Sequence, residues 1–189
     1  MKKILLVGLV ICFTSIFSFA QTKSFSAIDE FLTNNGGSFD NRDEIVTLFN
    51  KERVRLGGDF ETELWKYLGK DVRKYYWTSA FLEDKDYSQD KKPMPKLAYE
   101  VKLRGTEIPV DKDDVEGLGM KVTLLRDAAI KSSLDGNREL AIKYKKRATE
   151  IMEKNNLAAM GVIGATTEFD QCIYDNLEKD TSMCKKDAP

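Results

Sequence analysis

Residues 117–155, GLGMKVTLLRDAAIKSSLDGNRELAIKYKKRATEIMEKN, decide how the chain reads. In the first half, Leu118, Val122, Leu125 and Ala129 recur at alternating steps of four and three, and Leu124, Ala128 and Ile130 widen the stripe. That is the helical period, because residues three and four apart share a face. Asp135, Gly136 and Asn137 then interrupt it. Glycine takes positive φ without a Cβ clash, and asparagine offers a side-chain oxygen to the first N–H groups of a following helix. In the second half, Ala141, Tyr144, Ala148 and Ile151 share one face, with Lys143, Lys146, Arg147 and Glu150 on the other. The expectation is an antiparallel helical hairpin within an all-α fold.

Moving outward toward the N-terminus, Asp113 followed by Glu116 resembles a capping box at the entry to the hairpin, with aspartate in the place of Ser or Thr. Gly105 and Pro109 mark a break before it. Residues 96–103 fit two periods: Leu97, Tyr99, Val101 and Leu103 alternate as in a strand, whereas Leu97, Ala98 and Val101 suit a helix, and helix is the reading taken here. Residues 83–95 are rich in Asp, Lys, Ser and Pro and predict a long surface loop, which Pro93 and Pro95 keep extended.

Three helices are expected before that loop. Ser26 caps the first, which carries Ile28, Phe31 and Leu32 and stops at Asn35, Gly36 and Gly37. Asp40 or Asn41 opens the second, whose buried side is Ile45, Leu48, Phe49 and Leu56 and whose end is Gly57. Asp59 caps the third, a long helix over 60–82 with a stripe of Phe60, Leu64, Leu68, Val72, Tyr75 and Ser79 flanked by Trp65, Tyr76, Trp77 and Phe81. It is expected to be the aromatic heart of the core.

Beyond the hairpin, residues 157–165 are apolar and small, with Ala158, Gly161, Gly164 and Ala165 allowing close backbone approach. Their helix is expected to run on through Phe169, Ile173 and Leu177, and residues from about 179 to 189 to be disordered. The sum is a single-domain irregular bundle of five to seven helices around the long aromatic helix and the hairpin.

The first 20 residues combine Lys2 and Lys3, an apolar run from Ile4 to Phe19, and Ser18 with Ala20 as a small-x-small cleavage site. This is the pattern of a secretory signal peptide, and the run is short for a retained membrane span of ~20 residues. Cleavage before Gln21 leaves residues 21–189 as the mature domain, with 28 basic against 31 acidic side chains, so affinity for nucleic-acid phosphates is not expected. Secretion or passage to the periplasm is the expected fate. Cys172 and Cys184 then remain, and an oxidising compartment predicts a disulfide between them contributing ~2–3 kcal/mol by the loop-entropy account.

One family resemblance lies in the hairpin. Ala141 and Ala148, seven residues apart and preceded by Leu125 and Ala129, resemble the small and large packing positions of a tetratricopeptide unit. The likeness covers one unit, with Ser132, Lys145 and Glu153 departing from the family pattern and no second copy at the 34-residue period. It implies a concave surface for a peptide or protein partner, and a generic helix pair accounts for the same small residues.

The chain contains no histidine, which excludes triads that use one as base and histidine metal sites. Asp84, Asp86, Ser88 and Asp90 alternate as calcium-loop oxygens do, but Gln89 stands where the sharp turn needs glycine and Pro95 where the bidentate glutamate belongs. A weak irregular calcium site at Asp84, Asp86 and Asp90 is the minority reading against a solvated loop. Asp111, Asp113, Asp114 and Glu116 form a second acidic cluster, accounted for by a helix start. Trp65, Tyr67, Tyr76 and Trp77 offer sugar-stacking faces but read first as core, and Gly117, Gly119 and Lys121 lack the spacing of a phosphate loop.

Lys143, Lys146 and Arg147, with Lys145, make a basic patch, the candidate partner-binding surface, with Glu139, Glu150 and Glu153 as compensating acids. The expectation is an exported noncatalytic protein that binds an unidentified protein or peptide, without a cofactor. The alternatives are a carboxylate-dependent envelope hydrolase and a carrier of lipid or another small molecule.

Overall fold

A computed structural model describes residues 25–34, 42–82, 94–157 and 167–185. Residues 1–20, where a signal peptide is expected, the candidate calcium residues Asp84, Asp86 and Asp90, and the small apolar residues 158–165 lie outside that set. Among the described residues the chain is all-α, as the periodicity predicts, with no strand. The elements are α1 (Ser26–Asn34), α2 (Arg42–Leu56), a 3-10 turn (Gly57–Asp59), α3 (Phe60–Leu68), α4 (Val72–Leu82), α5 (Met94–Gly105), α6 (Val115–Leu134), α7 (Arg138–Lys154) and α8 (Glu168–Asp175).

The long aromatic helix does not form as one element. Gly69 adopts φ +53° and ends α3, its N–H donating to the carbonyl of Trp65 at 3.2 Å. Asp71 then restarts the chain as α4 by accepting from the Arg73 N–H at 3.0 Å. Glycine at the end and aspartate at the next start are what helix termini require, because four N–H and four C=O groups have no partner inside each helix. Asp59 is corrected too, since it makes no side-chain cap and the 3-10 turn leads directly into α3.

The spine is instead α6. It buries residues all around its circumference, including Leu118, Met120, Leu124, Leu125, Ala128 and Ala129, as a helix surrounded by others must. Its first half, through Met120 and Leu124, joins the main core of Phe25, Ile28, Ile45, Phe49, Leu64, Leu68, Val72, Tyr75, Phe81 and Val101. Its second half, through Ala129 and Ile130, joins a smaller core with Ala141, Ile173 and Leu177. The two cores meet on one helix.

Residues 96–103 are helical, within α5. The N-cap of α6 is Asp114, one residue later than the capping box suggested, and its carboxylate accepts from the Gly117 N–H at 3.0 Å. The hairpin forms as expected. Gly136 takes φ +80°, the Asn137 N–H closes the turn onto the carbonyl of Ser132 at 2.8 Å, and the Asn137 side chain caps α7 through the Leu140 N–H at 3.2 Å. Fully buried Ala129, Ala141 and Ala148 let the axes approach, and α6 on α7 is the most extensive packing of any two elements.

The helix expected to continue from residue 157 begins anew instead. Asn155 closes α7, Asn156 turns at φ +56°, and α8 starts at Glu168 with the Thr167 hydroxyl accepting from the Asp170 N–H at 3.1 Å. Cys172 and Cys184 are joined by a disulfide with Cα atoms 5.7 Å apart. After α8 the Cys184 N–H donates to the Thr181 carbonyl at 3.0 Å, within a turn at 182–183.

Candidate functional site

The basic patch on α7 divides once folded. Lys143 and Lys146 are exposed, and among the described residues neither forms an ion pair within 4 Å, so Glu139, Glu150 and Glu153 do not close onto them. Arg147 leaves the patch. Its guanidinium donates to the Glu107 carboxylate at 2.6 Å, tying α7 to the segment between α5 and α6. Lys145 turns to the opposite side, its ammonium 3.4 Å from the Asp175 carbonyl and 5.4 Å from the Tyr174 ring centre.

Beneath Arg147 lies Lys121, which sequence reasoning dismissed. It is 7% exposed and donates to the carbonyl of Ile108. Burial pushes its ammonium below the ordinary lysine range, the Arg147 charge adds to this, and Glu107 opposes it. Glu107 itself is held below the usual carboxylate range, first by the Arg147 hydrogen bond. Glu107, Lys121 and Arg147 therefore form a charge cluster where the middle of α7 meets the segment between α5 and α6. No periodic signal marked it, because Glu107 sits outside any helix and 40 residues from Arg147.

The second acidic cluster is a fastening. Asp114 accepts two hydrogen bonds from Arg73, at 2.7 and 2.5 Å, besides capping α6, and Glu116 accepts from Arg73 at 3.2 Å. The Arg73 pairing holds the Asp114 carboxyl below its usual range. Its native value is depressed, so the pairing contributes above the ordinary carboxylate pKa of about 4 and is lost as pH falls through the lower native value. Asp114→Asn keeps a capping oxygen and removes the charge. The parent's advantage over it at pH 7 is expected to close below about pH 4. Asp114→Ala loses the cap as well, about 1 kcal/mol more at either pH; urea unfolding from pH 7 to 2.5 reads both.

Among the described residues no three of Cys, Asp or Glu stand close enough to hold a metal ion. The aromatic faces are occupied: Arg104 lies 3.7 Å above the Trp65 ring, Phe25 stacks on Tyr67 at 4.9 Å, and Trp77 stacks on Phe81 at 6.1 Å. A shallow polar cavity of about 130 Å³, lined by Ser133, Arg138, Lys179 and Thr181 among others, lies where the hairpin turn meets the chain after α8. It is smaller than the roughly 300–1,000 Å³ of small-molecule sites. No helix among the described residues is long and apolar enough to cross a membrane.

A second surface, invisible in the sequence, lies where α8 seats on the hairpin. Ile173 and Leu177 enter the smaller core over a floor of Ala129 and Ala141, with Phe169 and Tyr174 beside them. Arg126, 4% exposed, donates to the Gln171 amide oxygen and lies 5.1 Å from the Tyr174 ring centre. Arg138 donates to the carbonyls of Leu177 and Lys179, at 3.0 and 2.6 Å. The chain matches no protein-family model, no curated protein and no solved structure.

Proposed function

We propose that this is an exported, noncatalytic helical protein that binds a protein or peptide partner through its α6–α7 hairpin. The observation that carries the reading is the outer face of α7. A helix pair packed tightly on alanines presents Lys143 and Lys146 exposed and without ion partners among the described residues, while Arg147 ties the same helix to Glu107. Rigid presentation lowers the entropic cost of binding, and two adjacent ammonium groups favour an acidic partner surface. The likeness of the hairpin to a tetratricopeptide unit supports a peptide or protein as the partner. Export rests on the N-terminal pattern, and the Cys172–Cys184 disulfide suits an oxidising compartment.

The test is affinity capture with tagged residues 21–189 from an envelope and culture extract of the native host, read by quantitative mass spectrometry. Lys143→Glu/Lys146→Glu serves as control, with Arg147 kept so that its bond to Glu107 survives. A partner enriched by the parent and reduced at least about tenfold by the control is expected, since reversing two charges at a salt-sensitive contact costs on the order of 1–2 kcal/mol. Equal recovery by both baits would reject this face as the docking surface.

A further inference from the structure

Among the described residues, the three hairpin cations facing α8 have no carboxylate within ion-pair distance. Among the described residues Arg126, Arg138 and Lys145 make no ion pair within 4 Å, and each donates to a neutral oxygen of α8 or of the turns after it. Arg126 is the extreme case, because it is almost wholly buried and its Nε has no hydrogen-bond partner. The nearby acids are hydrogen-bonded elsewhere: both oxygens of Asp175 accept from the Gln171 amide at 2.8 Å, and Asp180 accepts from Ser182 while feeling the Arg138 charge from beyond ion-pair distance. A buried guanidinium held by a neutral amide gains less than one held by a carboxylate, since the carboxylate adds an opposite charge at contact distance in a low-dielectric site.

The apolar half of the same seat has a defined shape. On the hairpin side the floor is Ala129 and Ala141, rimmed by Ile130, Ile142 and Tyr144, and α8 with the turn after it supplies Phe169, Ile173 and Leu177 at steps of four. α8 has eight residues and packs mainly on α6, and a helix that short has little stability of its own. Its release is a local opening that leaves the main core intact.

We propose that the seat of α8 is a docking groove for an acidic amphipathic helix, which α8 occupies as an intramolecular stand-in. The partner carries large apolar residues at i, i+4 and i+8, matching Phe169, Ile173 and Leu177, and a carboxylate where α8 carries Gln171. Its gain over α8 is the Arg126 ion pair. The advantage of α8 is its tether, which gives it a high local concentration. This groove lies apart from the Lys143–Lys146 face, so either proposal can fail without the other.

The test uses the whole mature chain and labelled peptides of residues 167–179 with Cys172→Ser. One peptide has the natural sequence otherwise, and the other carries Gln171→Glu and Asp175→Asn, which moves the carboxylate toward Arg126 at constant net charge. The second peptide also loses the Gln171–Asp175 hydrogen bonds, so its ratio to the first is read against the same ratio on an Arg126→Gln chain, which isolates the new pair. Fluorescence anisotropy is expected to show the second binding about tenfold more tightly. Hydrogen exchange should rise at residues 168–175 of the chain while 129–141 stay protected, and Arg126→Gln should abolish the preference. A Cys172→Ser/Cys184→Ser chain, whose α8 region is less constrained, should bind both peptides more tightly. Equal binding of the two peptides to both chains, no binding to either, or binding without increased exchange in α8 would overturn the proposal.

Discussion

Phe49→Ala is expected to destabilise the protein by about 3–5 kcal/mol, the range for removing a buried aromatic side chain when its surroundings only partly close the cavity. Phe49 is fully buried on α2, and its ring lies 6.2 Å from that of Phe25. Phe25 in turn contacts Phe60 at 5.7 Å and stacks on Tyr67 at 4.9 Å, so one ring cluster holds α1, α2 and α3 together. Phe25 also sits at φ +65°, a conformation an aromatic residue keeps only where packing enforces it. Its carbonyl starts α1 by accepting from the N–H groups of Ile28 and Asp29. Loss of the Phe49 ring removes part of that enforcement. Urea unfolding followed by circular dichroism checks the size of the effect. Raised hydrogen exchange in α1, with less change at Leu125 in α6, would locate it; a loss under about 1 kcal/mol would show that the cluster does not depend on Phe49.

Gly105→Ala is expected to cost about 2 kcal/mol, in the overpacking range of roughly 1–3 kcal/mol. Gly105 closes α5 where α4 and α6 converge. A Cβ there would lie 2.7 Å from Leu124 Cδ1 and 2.9 Å from Tyr75 Cβ. The leucine methyl can swing aside, but Tyr75 Cβ is fixed to the α4 backbone, so α4 and α5 must separate. Glycine normally yields stability when replaced by alanine in a helix, by up to ~1 kcal/mol, and the steric conflict must outweigh that gain. Gly58→Ala is the control, since its Cβ would meet nothing within 4 Å. It is expected to be neutral or slightly stabilising. Similar midpoints for the two variants in urea would remove the close approach at Gly105 as a determinant of the packing.

Much of this architecture was legible because helical burial leaves a local mark. The hairpin, its Gly136 turn and the Asn137 cap are each written within a few residues, and an apolar stripe can be counted without knowing what covers it. Gly69 shows the limit of counting. Leu68 and Val72 keep the four-residue step across the break, so the stripe looks continuous while the backbone turns. The glycine followed by Asp71 was the available signal.

The charged groups show the larger limit. The sequence led to Lys143, Lys146 and Arg147 as one patch with acids on its own helix, because neighbours at three and four residues are the pairs a sequence displays. Folding offered Arg147 a nearer carboxylate in Glu107, left the two lysines outside, and buried Lys121 against a carbonyl. Arg126 is buried by the covering of α8, which no local pattern announces.

By itself, then, the sequence determined the all-α class, the hairpin and its turn, and the two cysteines available for a cross-link, since these follow from local period, backbone freedom and residue type. Only the tertiary structure decided which helix is the spine, where the 60–82 segment breaks, which acid holds Arg147, and that α8 lies over cations paired only with neutral oxygens. The pairings of Arg147 and Arg126 join residues 40 or more positions apart, whose contact strength is fixed by distance and burial, and neither quantity exists until the chain has packed.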